Sequence, residues 1–275
     1  MNEVSKESGS KDIIKNKKIV FFVFIILILC LVQSFQQMIM SESLENPVVS
    51  NLRLALYFII TLLCSLLAFT IGRKKIDKTD KLLLTYAYVF LLSGTIVFII
   101  SEFVKDKNLA TFLFSTGNVY FYFMHVFFII RHSRKESVSE TEIDKSNKLF
   151  RNIIIFLIIF TVIILGVFFA LKNIDAVSVV SNIFFLVSCG IYAVFIIIAI
   201  IKAYGTFRNR FFPSLNSLFI IIGYTSFLFC EIFTVYGELV KEKVFLAKLM
   251  TTPYYTAGFL FLALSGYAWE KVQDK

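Results

Sequence analysis

Charged side chains are scarce in this chain and make up 17% of its 275 residues. Soluble domains usually carry about a quarter charged residues. Hydrophobic residues account for 58%, and the mean hydropathy is +0.80. The charges lie in short clusters between apolar runs of about twenty residues, the length that a helix needs to cross roughly 30 Å of hydrocarbon. The composition excludes an ordinary soluble enzyme and indicates an integral membrane protein.

Several features that would define particular classes of protein are missing. The three prolines, Pro47, Pro213 and Pro253, stand at the ends of apolar runs, which disfavours a transporter built from broken helices. The last run has no central lysine for a retinal Schiff base. No phosphate-binding loop, zinc-ligand spacing or Gly-x-Ser-x-Gly elbow occurs. The four cysteines lie inside apolar runs, so we expect no disulfide, no metal site and no cofactor.

The apolar runs predict an all-α polytopic membrane protein, a bundle of about eight transmembrane helices. The runs cover residues 19–39, 52–71, 82–101, 109–130, 150–171, 177–201, 215–236 and 251–269. We expect a basic segment over 1–18, a single transmembrane domain over 19–270 and a short tail over 271–275.

Basic residues gather on one side of the predicted helices. This side holds 21 of the 28 lysines and arginines: 20 in the segments before the first run and after the second, fourth, sixth and eighth runs, and Arg151 at the adjoining end of the fifth run. Such loops stay in the cytoplasm, so both termini are predicted to be cytoplasmic, in the plasma membrane of a bacterium. Because topology and lipid headgroups explain the basic clusters, we expect membrane lipids as partners and no nucleic acid. The oligomeric state stays open.

Three ionisable residues of interest lie within or at the end of the apolar runs. Glu231 is inside the seventh run, Glu102 ends the third, and His125 is in the fourth. A charge in mid-bilayer costs about 2.5–3.5 kcal/mol, so such residues normally face the bundle interior. Each also has a structural explanation: a hydrogen-bonded protonated acid, a solvated helix end and a packed histidine, respectively. His132 is predicted to be solvated in a basic loop.

A polar stripe follows one face of the fourth run. Its members recur at steps of three and four: Thr111, Ser115, Asn118, Tyr122 and His125. Hydrocarbon cannot satisfy their hydrogen bonds, so we expect the stripe to face protein or water, with Phe123 and Phe127 facing lipid. Further polar residues near the outer ends of other runs are Gln33, Gln36, Gln37, Ser181, Asn182, Tyr254 and Tyr255. Together they predict a polar pocket that leans toward the outer side.

The third, fourth, seventh and eighth runs resemble the YhhN family of lysoplasmalogenase-like membrane proteins. The resemblance rests on Ser101-Glu102, on Phe121, His125 and Phe128, on Gly223 through Leu228-Phe229 to Glu231, and on Thr252-Pro253-Tyr254-Tyr255. The chain departs from the family at both expected aspartates, which are glutamates here, and at the expected glutamine, where Gly258 stands. The Lys-Pro expected at the second helix is also missing.

The resemblance implies hydrolysis of the vinyl-ether bond of a lysoplasmalogen, which yields a fatty aldehyde and a glycerophospho-headgroup. Glu231 would protonate the β-carbon, and Glu102 would stabilise the oxocarbenium ion or activate water. His125 or Tyr254 would orient the acid or hold the headgroup. Asn118, Tyr122 and Tyr255 are further candidates for substrate binding. Two alternatives remain: a non-enzymatic protein that binds a lipid or small molecule as a sensor or accessory subunit, and, less favoured, a transporter.

Overall fold

The computed structural model describes residues 16–39, 47–72, 78–134, 176–209, 211–239 and 244–267, with the single residues 148, 151, 152, 155 and 159. These ranges form seven helices: α1 (Lys17–Ile39), α2 (Pro47–Gly72), α3 (Lys78–Phe103), α4 (Lys107–His132), α5 (Ala176–Asn209), α6 (Ser214–Leu239) and α7 (Val244–Leu264). No strand occurs among the described residues. The predicted all-α class is confirmed.

Helices α1 to α6 are each long and apolar enough to cross a bilayer, and α7 contains a shorter apolar segment, Leu249–Leu264. The chain is therefore a polytopic, integral helical membrane protein. Most of the predicted span 150–171 lies outside the described residues. The cytoplasmic location of the termini stays a prediction.

Two helix boundaries differ from the prediction. Helix α5 continues to Asn209, although the predicted run ends at residue 201. A helix can extend past the hydrocarbon, because polar side chains such as Lys202 and Arg208 are solvated there. Helix α7 begins at Val244, so Pro253 lies inside a helix and not at its end. Transmembrane helices tolerate an internal proline, so this residue no longer argues against a transporter.

The helices belong to two compact units. The first unit contains α1, α2, α6, α7 and the end of α5 from Lys202 onward. The second unit contains α3, α4 and α5 up to Ile201.

A glycine allows a close helix–helix approach in each unit. A Cβ atom added to Gly94 of α3 would lie 2.8 Å from the ring of Phe121 in α4. A Cβ atom added to Gly223 of α6 would lie 2.8 Å from Leu262 Cγ and 3.1 Å from the Gly258 carbonyl oxygen of α7. Small residues allow such contacts, and the resulting van der Waals packing holds membrane helices together.

Phe127 is fully buried, which makes its predicted exposure to lipid wrong. Its ring stacks on that of Phe90 in α3, with centroids 5.5 Å apart, and packs against Tyr86 at 5.4 Å. Phe123 is half-buried and packs 5.7 Å from Phe90. Helix α3 therefore covers the face of α4 that the sequence assigned to lipid. The exposed apolar side chains of the second unit are concentrated on α5, where Ile197 is 57% exposed.

Candidate functional site

Most hydroxyl groups of the polar stripe on α4 bond to their own helix. Thr111 Oγ1 donates to the Lys107 carbonyl oxygen and Ser115 Oγ to the Thr111 carbonyl oxygen, both at 2.8 Å. Off the stripe, Thr116 does the same toward Phe112 at 2.8 Å. Serine and threonine side chains can satisfy themselves in this way inside a helix. These residues therefore need no partner on another helix.

Asn118 and Tyr122 make the polar contacts between α4 and α5. Asn118 Nδ2 donates to Ser188 Oγ at 3.3 Å, and the Tyr122 hydroxyl donates to the Ser188 carbonyl oxygen. Ser188 Oγ in turn donates to the Phe185 carbonyl oxygen at 2.8 Å. Asn118 and Tyr122 are buried, and they face another helix as predicted. The amide and the phenol thus fix α5 against α4.

His125 lies one turn beyond Tyr122 on the same face of α4. Its side chain is fully buried, and its ring centroid is 5.4 Å from that of Tyr192 in α5. The Tyr122 ring also packs on α5, where it stacks on Phe195 at 5.8 Å. His125 is therefore held in an aromatic environment between the two helices.

A groove of about 290 Å³ lies between α4 and α5. Its lining consists of apolar and aromatic side chains with the two polar residues Tyr122 and Ser188; the other members are Val119, Phe123, Val126, Phe184, Val187, Ile191 and Phe195. Val187 and Ile191 are exposed, at 53% and 43%, so the groove opens on the outer surface of the helix pair. Because Tyr122 and Ser188 bond to each other, the groove offers a predominantly apolar wall.

Glu102 lies at the solvent-exposed end of α3, in the second unit. The chain then turns into α4, where Asp106 caps the helix: its Oδ1 accepts from the backbone N–H groups of Asn108 at 2.9 Å and Leu109 at 3.0 Å. The position of Glu102 is that of a helix terminus in contact with solvent or headgroups.

Glu231 is half-buried on α6, in the first unit. Helix geometry turns it only about 40° from Phe227, whose ring packs on Tyr255 at 6.2 Å and Phe259 at 4.7 Å. Since α6 and α7 run antiparallel, one further turn along α6 brings Glu231 to the level of Thr251 and Thr252. Glu231 is thus on the side of α6 that bears Phe227, in the half of the helix toward the predicted outer surface.

The two tyrosines of α7 face different neighbours. Tyr255 packs against Tyr57 of α2, with centroids 5.0 Å apart, and their hydroxyl groups are hydrogen-bonded. Tyr254 stacks on Phe229 at 5.3 Å and on Phe233 at 5.6 Å. Tyr255 therefore connects α7 to α2, and Tyr254 connects it to the outer part of α6.

Among the described residues, no group of three or more His, Cys, Asp and Glu side chains is arranged to hold a metal ion.

Sequence reasoning missed an ion pair in the second unit. Arg131 Nε lies 2.6 Å from Asp80 Oδ1 and Arg131 Nη2 lies 3.2 Å from Asp80 Oδ2, and both side chains are fully buried. His132 is also buried, at 1% exposure, so the expectation that it is solvated was wrong. Helix α4 includes His132, and the ring stacks on Phe128 at 5.7 Å. The sequence did contain a signal for this pair. Asp80 is an acidic residue at the start of α3, and Arg131 is a basic residue at the end of α4, the next helix along the chain.

Arg53 of α2 is the second residue that the sequence reasoning passed over. It is the one charged residue of the apolar segment Ser50–Ile71, and that isolation was visible in the sequence. Its carbonyl oxygen accepts from Gln33 Nε2 of α1 at 3.5 Å.

Comparisons of the chain with protein-family models, curated proteins and solved structures give no match. The fold and these contacts define a polytopic helical membrane protein with polar clusters in both units.

Proposed function

We propose that this protein binds a membrane lipid and that the groove between α4 and α5 holds the lipid's acyl chain. The observation that carries the proposal is the apolar lining of that groove, with its exposed rim at Val187 and Ile191. A volume of about 290 Å³ is at the lower end of ligand sites, which are mostly apolar with a few placed polar groups. A lipid-binding protein of this kind needs no reactive group in the groove.

The groove favours an acyl chain because its polar groups are already engaged. Tyr122 and Asn118 both bond to Ser188, so neither hydroxyl nor amide is directed to a polar ligand. A polar headgroup would lose its hydration in such a groove without equivalent hydrogen bonds, which is unfavourable. An acyl chain has no hydration to lose on transfer from the bilayer, and in the groove it contacts the rings of Phe123, Phe184 and Phe195.

The test is photo-crosslinking with a phosphatidylcholine that carries a diazirine in its acyl chain. The variant Ile191→Trp fills the groove, because Ile191 lines it. The control Ile197→Trp adds the same bulk to an exposed isoleucine on another face of α5. We expect labelled peptides from α4 and α5 in the wild type, at least a halving in Ile191→Trp and no change in Ile197→Trp. Equal labelling in the two variants would exclude the groove as the site.

A second candidate function is hydrolysis of a lipid vinyl ether, as the resemblance to lysoplasmalogenase-like proteins implies. The half-buried position of Glu231, on the side of α6 that bears Phe227, favours it. Glu231 would transfer its proton to the β-carbon, water would attack the resulting oxocarbenium ion, and the hemiacetal would break down to aldehyde and glycerophospho-headgroup. Glu102 is an exposed helix end, so this candidate depends on Glu231.

Aldehyde release from a lysoplasmalogen by the purified protein tests this second candidate. Glu231→Gln keeps the shape and removes the transferable proton, so the rate should fall about 10²–10⁴-fold. Glu102→Gln is the matched control and should have a small effect, because Glu102 is an exposed helix end. Full activity in Glu231→Gln would remove this residue from the mechanism. Inactivity of the wild type on ether and ester lipids would leave lipid binding as the function.

The same proposal includes the cellular location. The distribution of basic residues supports cytoplasmic termini and insertion in the plasma membrane of a bacterium. In that orientation the end of α2 that bears Arg53 and the half of α6 that bears Glu231 lie toward the outer leaflet.

A further inference from the structure

Arg53 keeps a charge inside an otherwise apolar helix segment. It is the fourth residue of Ser50–Ile71, and every other residue of that segment is uncharged. Long basic side chains near a span end usually extend into the interface, where water solvates them. Arg53 is instead half-buried, and its Nε is shielded from solvent with no hydrogen-bond acceptor among the described residues. A donor in that situation costs free energy unless a ligand accepts from it.

Other hydrogen-bond donors lie near Arg53 at the same end of the first unit. Gln33 of α1 is buried, at 3% exposure, and its amide reaches the Arg53 carbonyl oxygen. One turn further along α2, the hydroxyl of Tyr57 is bonded to that of Tyr255 in α7. Three helices thus bring an amide, a guanidinium and two phenols to within about one helical turn of each other. The guanidinium, the amide and one hydroxyl of the tyrosine pair can donate hydrogen bonds to an anion.

We propose that Arg53, with Gln33 and the Tyr57–Tyr255 pair, forms an anion site in the first unit that takes a phosphate group, the one carried by a phospholipid headgroup. A guanidinium matches phosphate because its planar fork donates two parallel hydrogen bonds. The depth also fits: Arg53 is about 5 Å along the helix from Ser50, near the boundary between hydrocarbon and headgroups. Lipid phosphates lie just outside that boundary.

Glu231 of α6 brings a carboxyl group to about the same level as Arg53. The hydroxyl contact places Tyr57 of α2 level with Tyr255 of α7. Arg53 precedes Tyr57 by one helical turn, and Thr251 precedes Tyr255 by one turn, so Arg53 and Thr251 are at the same level. The antiparallel register of α6 and α7 brings Glu231 to that same level. A headgroup that carries an ammonium group beside its phosphate would complement Arg53 and the ionised form of Glu231. We therefore choose a zwitterionic lysophospholipid as the probe.

This site does not depend on the groove between α4 and α5, which belongs to the other unit. The lipid-labelling experiment on Ile191→Trp and the experiment below can therefore fail separately.

The test measures binding of lysophosphatidylcholine to purified protein in a non-phosphate detergent. A monoacylglycerol with the same acyl chain lacks the phosphate, and inorganic phosphate lacks the chain. The variant is Arg53→Gln, and the control is Arg208→Gln, which removes an exposed arginine at the end of α5 in the same unit. Arg53→Lys keeps the positive charge but lacks the planar guanidinium that donates two parallel hydrogen bonds. Melting temperatures of all variants show whether the fold is retained.

We expect Arg53→Gln to weaken lysophosphatidylcholine binding about tenfold or more, because it removes charge-assisted hydrogen bonds. Arg53→Lys should lie between it and the wild type, and Arg208→Gln should bind normally. Competition by inorganic phosphate would support the anion site with free phosphate as its ligand. Equal affinity for lysophosphatidylcholine and monoacylglycerol would overturn the proposal. If Arg53→Gln does not fold, the other two measurements decide. Unchanged lysophosphatidylcholine affinity in Arg53→Lys, together with no competition by inorganic phosphate in the wild type, would also overturn the proposal.

Discussion

Arg131 and Asp80 form a two-point ion pair that closes the end of the α3–α4 hairpin, with both side chains fully buried. The carboxylate lies in the first turn of α3, where the helix dipole favours a negative charge, and the guanidinium lies in the last turn of α4, where it favours a positive one. Breaking one partner of such a pair leaves an uncompensated buried charge.

The first prediction concerns this pair. Asp80→Asn should destabilise the protein by about 3–5 kcal/mol, because Arg131 remains buried without its carboxylate. Thermal unfolding in detergent, followed by circular dichroism, measures the effect. Asp106→Asn makes the same chemical change at an exposed helix cap, where asparagine caps equally well, so its effect should be within about 0.5 kcal/mol. Equal melting temperatures for the two variants would show that the pair adds no stability.

The second prediction concerns the close approach of α6 and α7. Gly223→Val would place its methyl groups against Leu262 and the Gly258 backbone, so we expect a loss of about 1–3 kcal/mol. Gly190→Val on α5 is the control, since a Cβ atom there meets nothing within 4 Å. Size-exclusion chromatography after a temperature series measures the folded fraction. A Gly223→Val protein as heat-resistant as Gly190→Val would contradict the observed packing.

The third prediction concerns sidedness. Lys78 and Lys107 are exposed at opposite ends of the α3–α4 hairpin. In a background without the native cysteines, Lys107→Cys should react with a membrane-impermeant maleimide on intact cells, whereas Lys78→Cys should react only after lysis. The reverse pattern would invert the topology that the basic loops predict.

The sequence predicted the helices well because a run of apolar residues long enough for a bilayer has few other structures available. The sequence did not predict whether lipid or another helix covers a given helix face. Phe127 is apolar and belongs to the side of α4 opposite the polar stripe, yet α3 and not lipid covers it. Lipid and protein interiors are equally apolar, so periodicity cannot distinguish them.

The candidate sites were predicted only in part, for a similar reason. Asn118 and Tyr122 do bond to another helix, but Ser115 and Thr111 satisfy themselves, which the spacing of the stripe could not reveal. The Asp80–Arg131 pair joins residues 51 positions apart, and both stood in segments interpreted as basic loops. No local pattern encodes such a contact, because it depends on how the hairpin closes.

The last prediction concerns the polar contact between α4 and α5. Asn118→Ala and Ser188→Ala each remove one partner of the amide–hydroxyl bond, and the double variant removes both. Hydrogen bonds between membrane helices contribute about 0.6 kcal/mol on average in double-mutant cycles, with a maximum near 1.7. We expect a coupling energy in that range, measured from unfolding in a denaturing detergent. The pair Thr111→Val and Ser188→Ala is the control, since Thr111 bonds within α4, and its coupling should be near zero. Equal coupling for the two pairs would mean that Asn118 does not bind Ser188.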